Sequence, residues 1–300
     1  MWLAGVAVGC VALTALTYDL AVHTTRGRLL DGASLRGAVE SRSGVTDAVE
    51  GLLDVVSVAS LLGAGVVLAL IALARSRREL ALAAVVVVIG ANATTQVLKR
   101  YVLERPDLGI LESTPATLNS MPSGHSTVAF SVVVALVLVL PVRLRPAAAA
   151  FGVVYASVAA ISTLSAGWHR PSDSIAAFLV VGAWAALVGA VLAVQHADQA
   201  PAPTGDTHDR ATRRLGATSA YLLAFGGLVA GVIVTTQLDT YGQAAQVLAY
   251  VAGGGLVAGT GAAVMAAVLA VTHRIAPRDS EGTVGQGSMF WFRRNRLSGS

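Results

Sequence analysis

Apolar blocks close to 20 residues long recur along the whole chain, at about 2–22, 55–74, 80–98, 126–142, 147–166, 174–194, 217–236 and 247–271. A helix rises about 1.5 Å per residue, so each block is long enough to cross the roughly 30 Å hydrocarbon layer of a bilayer. The blocks are continuous runs of Ala, Val and Leu without polar alternation, which argues for helices and against a transmembrane barrel. With 55% hydrophobic and only 13% charged residues, the remaining surface is too poor in charge for a soluble domain. The expected fold is an all-α polytopic membrane bundle of eight spans. Cys10 is the single cysteine and lies in the first block, so no internal disulfide can form.

The net charge of +4 does not point to nucleic acid. Arginines sit in short segments between apolar blocks, and no basic stretch is interleaved with aromatics. If the N-terminus is cytoplasmic, thirteen of the 21 Lys and Arg fall on that side. This bias predicts a cell-membrane protein with the loops after spans three and five outside and the C-terminal tail inside.

The chain divides into a six-span core at 1–195, a Pro- and Gly-containing polar linker at 196–216, a two-span hairpin at 217–272 and a basic tail at 273–300. The first block lacks a basic leader and reads as a retained span. Residues 23–54 carry Leu30, Leu35, Val39, Val45 and Val49 at helical spacing, and are expected to form an amphipathic connector at the membrane surface. Asn92, Thr94, Thr95 and Gln96 in span three should face the bundle interior, because hydrocarbon offers them no partner. Gly-Gly-Leu-Val-Ala-Gly occurs at 226–231 and again at 254–259. These small residues let helices approach closely, within a hairpin, in self-association or against a partner.

Chemistry concentrates in the two outer loops. Pro122-Ser123-Gly124-His125 stands where a polar loop enters span four. A helix beginning there offers orphan N–H groups and a positive dipole end to an anion. Ser123 adds a hydroxyl, and Gly124 a backbone with no side chain in the way. Lys99 and Arg105 can neutralise phosphoryl oxygens. His169 and Asp173 are four apart, so on one helical turn the carboxylate can hold one imidazole nitrogen and leave the other to attack phosphorus. His125 can then protonate a leaving oxygen.

These segments resemble the type 2 phosphatidic acid phosphatase superfamily, in its integral membrane members. The shared features are a Lys to Arg-Pro motif at Lys99 to Pro106, Pro-Ser-Gly-His at 122–125, and a third motif ending in His169, three residues and Asp173. The resemblance covers about residues 1–195. It implies that His169 is the nucleophile forming a phosphohistidine, Asp173 its orienting carboxylate and His125 the acid for the leaving group. Lys99, Arg105, Ser123 and Gly124 would bind phosphate, without a metal or organic cofactor. The implied substrate is a phosphomonoester or pyrophosphate of a phospholipid or polyprenyl lipid.

Two departures are visible. Five residues separate Lys99 from Arg105, where the family commonly has six. Thr163 stands six before His169, where the family's third motif carries arginine; Arg170 and Arg100 are the candidate replacements.

Other readings remain at this point. A metal site from His125, His169 and Asp173 has suitable ligands, although Lys99 and Arg105 would repel a divalent cation. A transporter would need broken helices repeated in both halves, and none is seen. A relative that binds lipid without turnover, or one that passes the phosphoryl or head group to an alcohol, also fits these residues.

Overall fold

A computed structural model describes residues 2–41, 70, 78–109, 119–195, 206–236 and 242–275, and every regular element among them is helical. The helices are α1 (Trp2–Tyr18), α2 (Thr25–Glu40), α3 (Arg78–Val97), α4 (Gly124–Val139), α5 (Arg145–Ser165), α6 (Pro171–Gln195), α7 (Asp206–Thr235) and α8 (Gln243–Ile275). Wider π-helical turns at Asp19–His23 and Leu98–Val102 extend α1 and α3. Six helices are long and apolar enough to cross a membrane, and α4 is a shorter apolar helix of 16 residues. The chain is an integral membrane protein. The expected second span at 55–74, apart from residue 70, lies outside the described residues, as does the tail from 276.

Local sequence sets the helix ends. Pro141 stops α4 shortly after Val139, because proline offers no N–H and disfavours helix in the residue before it. Pro146 opens α5 in its first turn, where a missing N–H is harmless. Arg145 is fully buried and donates to the carbonyls of Leu138, Leu140 and Thr272, at 3.1, 3.0 and 3.0 Å. It thereby closes the C-terminal end of α4 and ties it to α8. Charge at this position serves helix capping.

Three of the four polar residues expected to face inward from α3 do so, as their cost in hydrocarbon requires. Asn92 Nδ2 donates to Ser131 Oγ (3.2 Å), Thr95 and Thr127 share a 2.9 Å hydroxyl bond, and Trp184 Nε1 donates to Thr94 (3.0 Å). Gln96 remains exposed. Deeper in the bundle, Phe130 of α4 and Phe178 of α6 pack with ring centroids 4.4 Å apart.

Two elements differ from the sequence reading. The segment after α1 is not merely a surface connector. Thr24 caps α2 by accepting from Gly27 N, and the helix buries Arg28, Asp31, Ser34, Leu35 and Ala38 against α8 and α6. Its periodicity announced one buried face, but that face is partly polar and meets protein rather than lipid. The second difference is that α7 begins at Asp206, inside the segment expected as linker. Asp206 and Asp209 favour a helix start electrostatically, and His208 is buried with Nε2 against the Leu269 carbonyl at 3.0 Å.

The glycine-rich helices pack within the chain. A Cβ on Gly226 would lie 2.8 Å from the Ala252 carbonyl, and one on Gly259 would lie 2.9 Å from Leu223, so α7 and α8 meet at van der Waals limits. On its other side α8 brings Gly253 against Pro171 and Ser34, and Gly37 of α2 lies directly on the Gln246 carbonyl. Thus α8 backs both α2 and the first turn of α6.

Candidate active site

The site is assembled at the starts of α4 and α6. Ser123 is the N-cap of α4, with its hydroxyl accepting from Ser126 N at 3.3 Å. The N–H groups of Gly124 and His125 are orphans of the first turn and remain for a ligand. Ser123 N donates to the Asp173 carbonyl (2.9 Å), and Ser126 and Ser174 share a 3.0 Å hydroxyl bond. These bonds fix one helix start against the other.

The second helix start carries the dyad. Gly167 adopts φ +80°, a left-handed conformation that favours glycine, and turns the chain out of α5. The N–H groups of Trp168 and His169 then return to the Thr163 carbonyl at 3.0 and 3.3 Å. Pro171 begins α6, so His169 and Asp173 straddle its first turn. Nδ1–H of His169 donates to Asp173 Oδ2 at 3.3 Å, which leaves Nε2 for chemistry. The same oxygen accepts from Arg170 N (2.9 Å) and Ser120 Oγ (2.6 Å). The backbone contact reproduces the reciprocal half of a capping box, in which an acid at the third helical position takes the cap N–H. Asp173 is fully buried and its Oδ1 has no hydrogen-bond partner among the described residues. A buried polar atom left in that state calls for an explanation, and a ligand or catalytic role is one.

The rings of His125 and His169 lie with centroids 6.1 Å apart, and the Trp168 ring stands 5.4 Å from His125. Lys99, half-buried in the π-helical turn after α3, is within electrostatic reach of both Asp173 and His125. Asn119 holds that turn beside the site by donating to the carbonyls of Lys99 (3.1 Å) and Leu103 (2.5 Å). Arg105 is half-buried in the extended segment that follows. Tyr18 fastens this segment, with its OH donating to the Glu104 carbonyl at 2.6 Å, and Arg28 donates to the Pro106 carbonyl.

The structure therefore gathers His125, His169, Asp173, Ser123, Gly124 and Lys99, and holds the backbone of Arg105 near them. Arg100 is exposed on the turn, whereas Arg170 is buried with its charge facing Asp31. Thr163 is fully enclosed, and its hydroxyl donates to the Ala160 carbonyl at 2.7 Å. Among the described residues no group of three or more His, Cys, Asp or Glu is arranged to hold a metal.

Sequence reasoning missed Ser120, Asn119 and Asp31. Asn119 and Ser120 directly precede Met121 and could have been noticed as polar neighbours of the anion loop. Asp31 carried no such signal. It is buried on α2, and its carboxylate accepts from Ser172 N (3.2 Å) and Ser172 Oγ (2.6 Å). Arg170 occupies the cap position of α6 and has no acceptor to offer. Asp31 supplies that acceptor from another helix.

Burial pushes the Asp31 carboxyl up to about 6, and the neighbouring Asp173 charge adds to this. Arg170 and the two Ser172 bonds act in the opposite direction. A raised folded-state pKa means that the folded protein binds the proton more tightly, so stability falls as pH rises from about 4 to 6 and then levels off. Asp31→Asn keeps an acceptor for Ser172 and removes this term. Above pH 6 the variant should unfold at a higher temperature than the parent, by an amount on the order of 3 kcal/mol at most, and the gap should close toward pH 4. A gap independent of pH in thermal unfolding would contradict this account.

Gly124 gives a test of the anion loop. A Cβ there would meet only Gln96 Nε2, at an ordinary 3.6 Å, so Gly124→Ala is compatible with the fold. The added methyl would occupy the space where an anion approaches the first turn. We expect unchanged thermal stability, with binding of vanadate as a phosphate analogue weakened at least about tenfold, the effect of displacing one or two charge-assisted N–H bonds. Unchanged vanadate affinity would remove Gly124 from the site.

Taken together, these features define a membrane-embedded helical bundle with a histidine–carboxylate dyad beside a second histidine at a helix start. Residues 80–196 match the family model of the PAP2 superfamily, and this segment contains Lys99, Arg105, Ser123, Gly124, His125, His169 and Asp173. The fold of the chain is similar to the crystal structure of a transmembrane PAP2-type phosphatidylglycerolphosphate phosphatase from Bacillus subtilis, with a TM-score of 0.52 and 24% identity. The similarity covers 62% of this chain and 95% of that one. No curated protein matches the chain. Asp31 lies outside the segment matched by the family model, as do α7 and α8.

Proposed function

We propose that this protein is a lipid phosphate phosphatase that works through a phosphohistidine and needs no metal. The observation that carries the reading is the His169–Asp173 dyad, which leaves Nε2 for chemistry and sets the His169 ring 6.1 Å from that of His125 at the start of α4. His169 Nε2 attacks phosphorus, and the bond to the lipid oxygen breaks as His125 delivers a proton to that oxygen. Asp173 stabilises the cationic imidazole. Water then attacks phosphorus as His125 takes up one of its protons, the phosphorus–nitrogen bond breaks, and phosphate leaves with His169 restored. Lys99, Arg105 and the N–H groups of Gly124 and His125 hold the equatorial oxygens, where charge develops in an in-line displacement.

A lipid substrate is favoured by an apolar groove of about 440 Å³ between α1, α3 and α6. Leu98 and Leu103, which flank Lys99 in sequence, form part of its wall, and it continues past Val11 and Trp184. A phosphate held at the dyad can thus leave its hydrocarbon tail in an apolar setting. With a cytoplasmic N-terminus, the arginine distribution supports a site on the outer face of the cell membrane.

The test is phosphate release from phosphatidate, phosphatidylglycerol phosphate and polyprenyl phosphates and pyrophosphates, with and without chelator. Release from at least one, unaffected by chelator, is the expected result. No release from any would favour a binding-only relative, the reading that Thr163 supports. Transfer of the phosphoryl group to an added alcohol in preference to water would favour a transferase.

A further inference from the structure

We propose that the groove between α5, α7 and α8 is a binding site for one anionic membrane phospholipid, separate from the His169–Asp173 site. The groove has a volume of about 730 Å³. Its mouth lies at the start of α5, beside Pro146, and α5 ends at Ser165 next to the active-site turn. The two sites therefore face opposite ends of the bundle.

The arrangement of charge and length selects the occupant. Arg210, Arg214, Thr218 and Leu222 all line the groove and follow one another at intervals of four on α7. Residues so spaced form one stripe along a helix, so this wall passes from cationic through polar to apolar with depth. Arg210 Nε is used by the Asp206 carbonyl at 3.0 Å. Among the described residues neither guanidinium forms an ion pair with a carboxylate, and both are exposed. Paired arginine forks at the mouth of an apolar groove suit a phosphodiester oxygen pair.

On α5 the lining runs from Pro146 to Val158, a climb of about 18 Å at helical rise. This is close to the half-thickness of the hydrocarbon core, about 15 Å, and so to the depth reached by the chains of one leaflet. Ala258 and Ala262 of α8 form the floor with small side chains that leave room for such a chain. A free anion would use only the arginines, and a zwitterionic lipid would use mainly the groove. An anionic phospholipid uses both.

The experiment is native mass spectrometry of the full chain released from mixed phosphatidylglycerol and phosphatidylcholine micelles. The protein should retain one phosphatidylglycerol about thirtyfold more strongly than phosphatidylcholine, as two cations near a membrane surface would give. Arg210→Gln with Arg214→Gln should remove the preference, and Val158→Trp should fill the groove from its exposed rim and block retention of the lipid. Thermal unfolding in phosphatidylcholine verifies that both variants are folded. Millimolar inorganic phosphate should not displace the lipid. Equal retention of the two lipids, a preference that survives the double substitution, or displacement by inorganic phosphate would overturn the assignment.

Discussion

Replacing His169 by alanine is expected to lower phosphate release by at least about 10³-fold while the protein stays folded. The size follows from the role: no other group at the site presents a free imidazole nitrogen with a carboxylate behind it, and loss of a nucleophile removes the covalent route altogether. The fold should survive because, among the described residues, the ring makes one hydrogen bond, at 3.3 Å to Asp173. Asp173 keeps Ser120 Oγ and Arg170 N after the change, so the start of α6 remains capped. Its loss of one charge-assisted bond costs about 1–3 kcal/mol, visible as a modest drop in unfolding temperature. A variant that keeps its rate within tenfold would show that His169 is not the nucleophile.

Replacing His125 by alanine should cost about 10²- to 10⁴-fold, the usual span for a general acid, but only with a poor leaving group. A lipid alkoxide needs a proton as its bond to phosphorus breaks, whereas p-nitrophenolate leaves without one. The comparison is kcat/KM for an alkyl phosphate and for p-nitrophenyl phosphate, in parent and variant. A much larger loss on the alkyl ester is expected. Equal losses would make His125 a phosphate-binding or packing residue, a role its 5.4 Å approach to Trp168 also permits.

What the sequence made legible divides along the range of the interactions involved. Span positions followed from hydrocarbon thickness, which acts on each segment alone, and α1, α3 to α6 and α8 fall where the apolar blocks put them. The N-cap at Ser123 and the His169–Asp173 pair were readable because cap and i,i+4 geometry are local. Asp31 was hidden because its partner Ser172 is 141 residues away, and no local pattern separates a buried cap acceptor from an ordinary polar residue on an amphipathic helix. The start of α7 was hidden for a related reason. Asp206, His208 and Arg210 have the composition of a solvated linker, and the burial of His208 against α8 is a long-range contact that composition does not announce.

Thr163 illustrates a further limit. Its departure from the family pattern reads in sequence as a missing cation. In the fold the residue is a joint, with its carbonyl receiving the N–H groups of Trp168 and His169 and its hydroxyl closed onto Ala160. Similarly, α8 looked like half of an appended hairpin, yet Gly253 carries it onto Pro171 and Ser34, behind the turn that holds the dyad.

The central claim is that a phosphoryl group passes through His169, and rapid acid-free quenching of the protein during turnover of a ³²P-labelled lipid phosphate tests it most directly. The account predicts label bound to the protein as an acid-labile, alkali-stable phosphoramidate, located at His169 by peptide mapping and absent from His169→Ala. Turnover at the parent rate with no label on the protein, or label on any other residue, would contradict it.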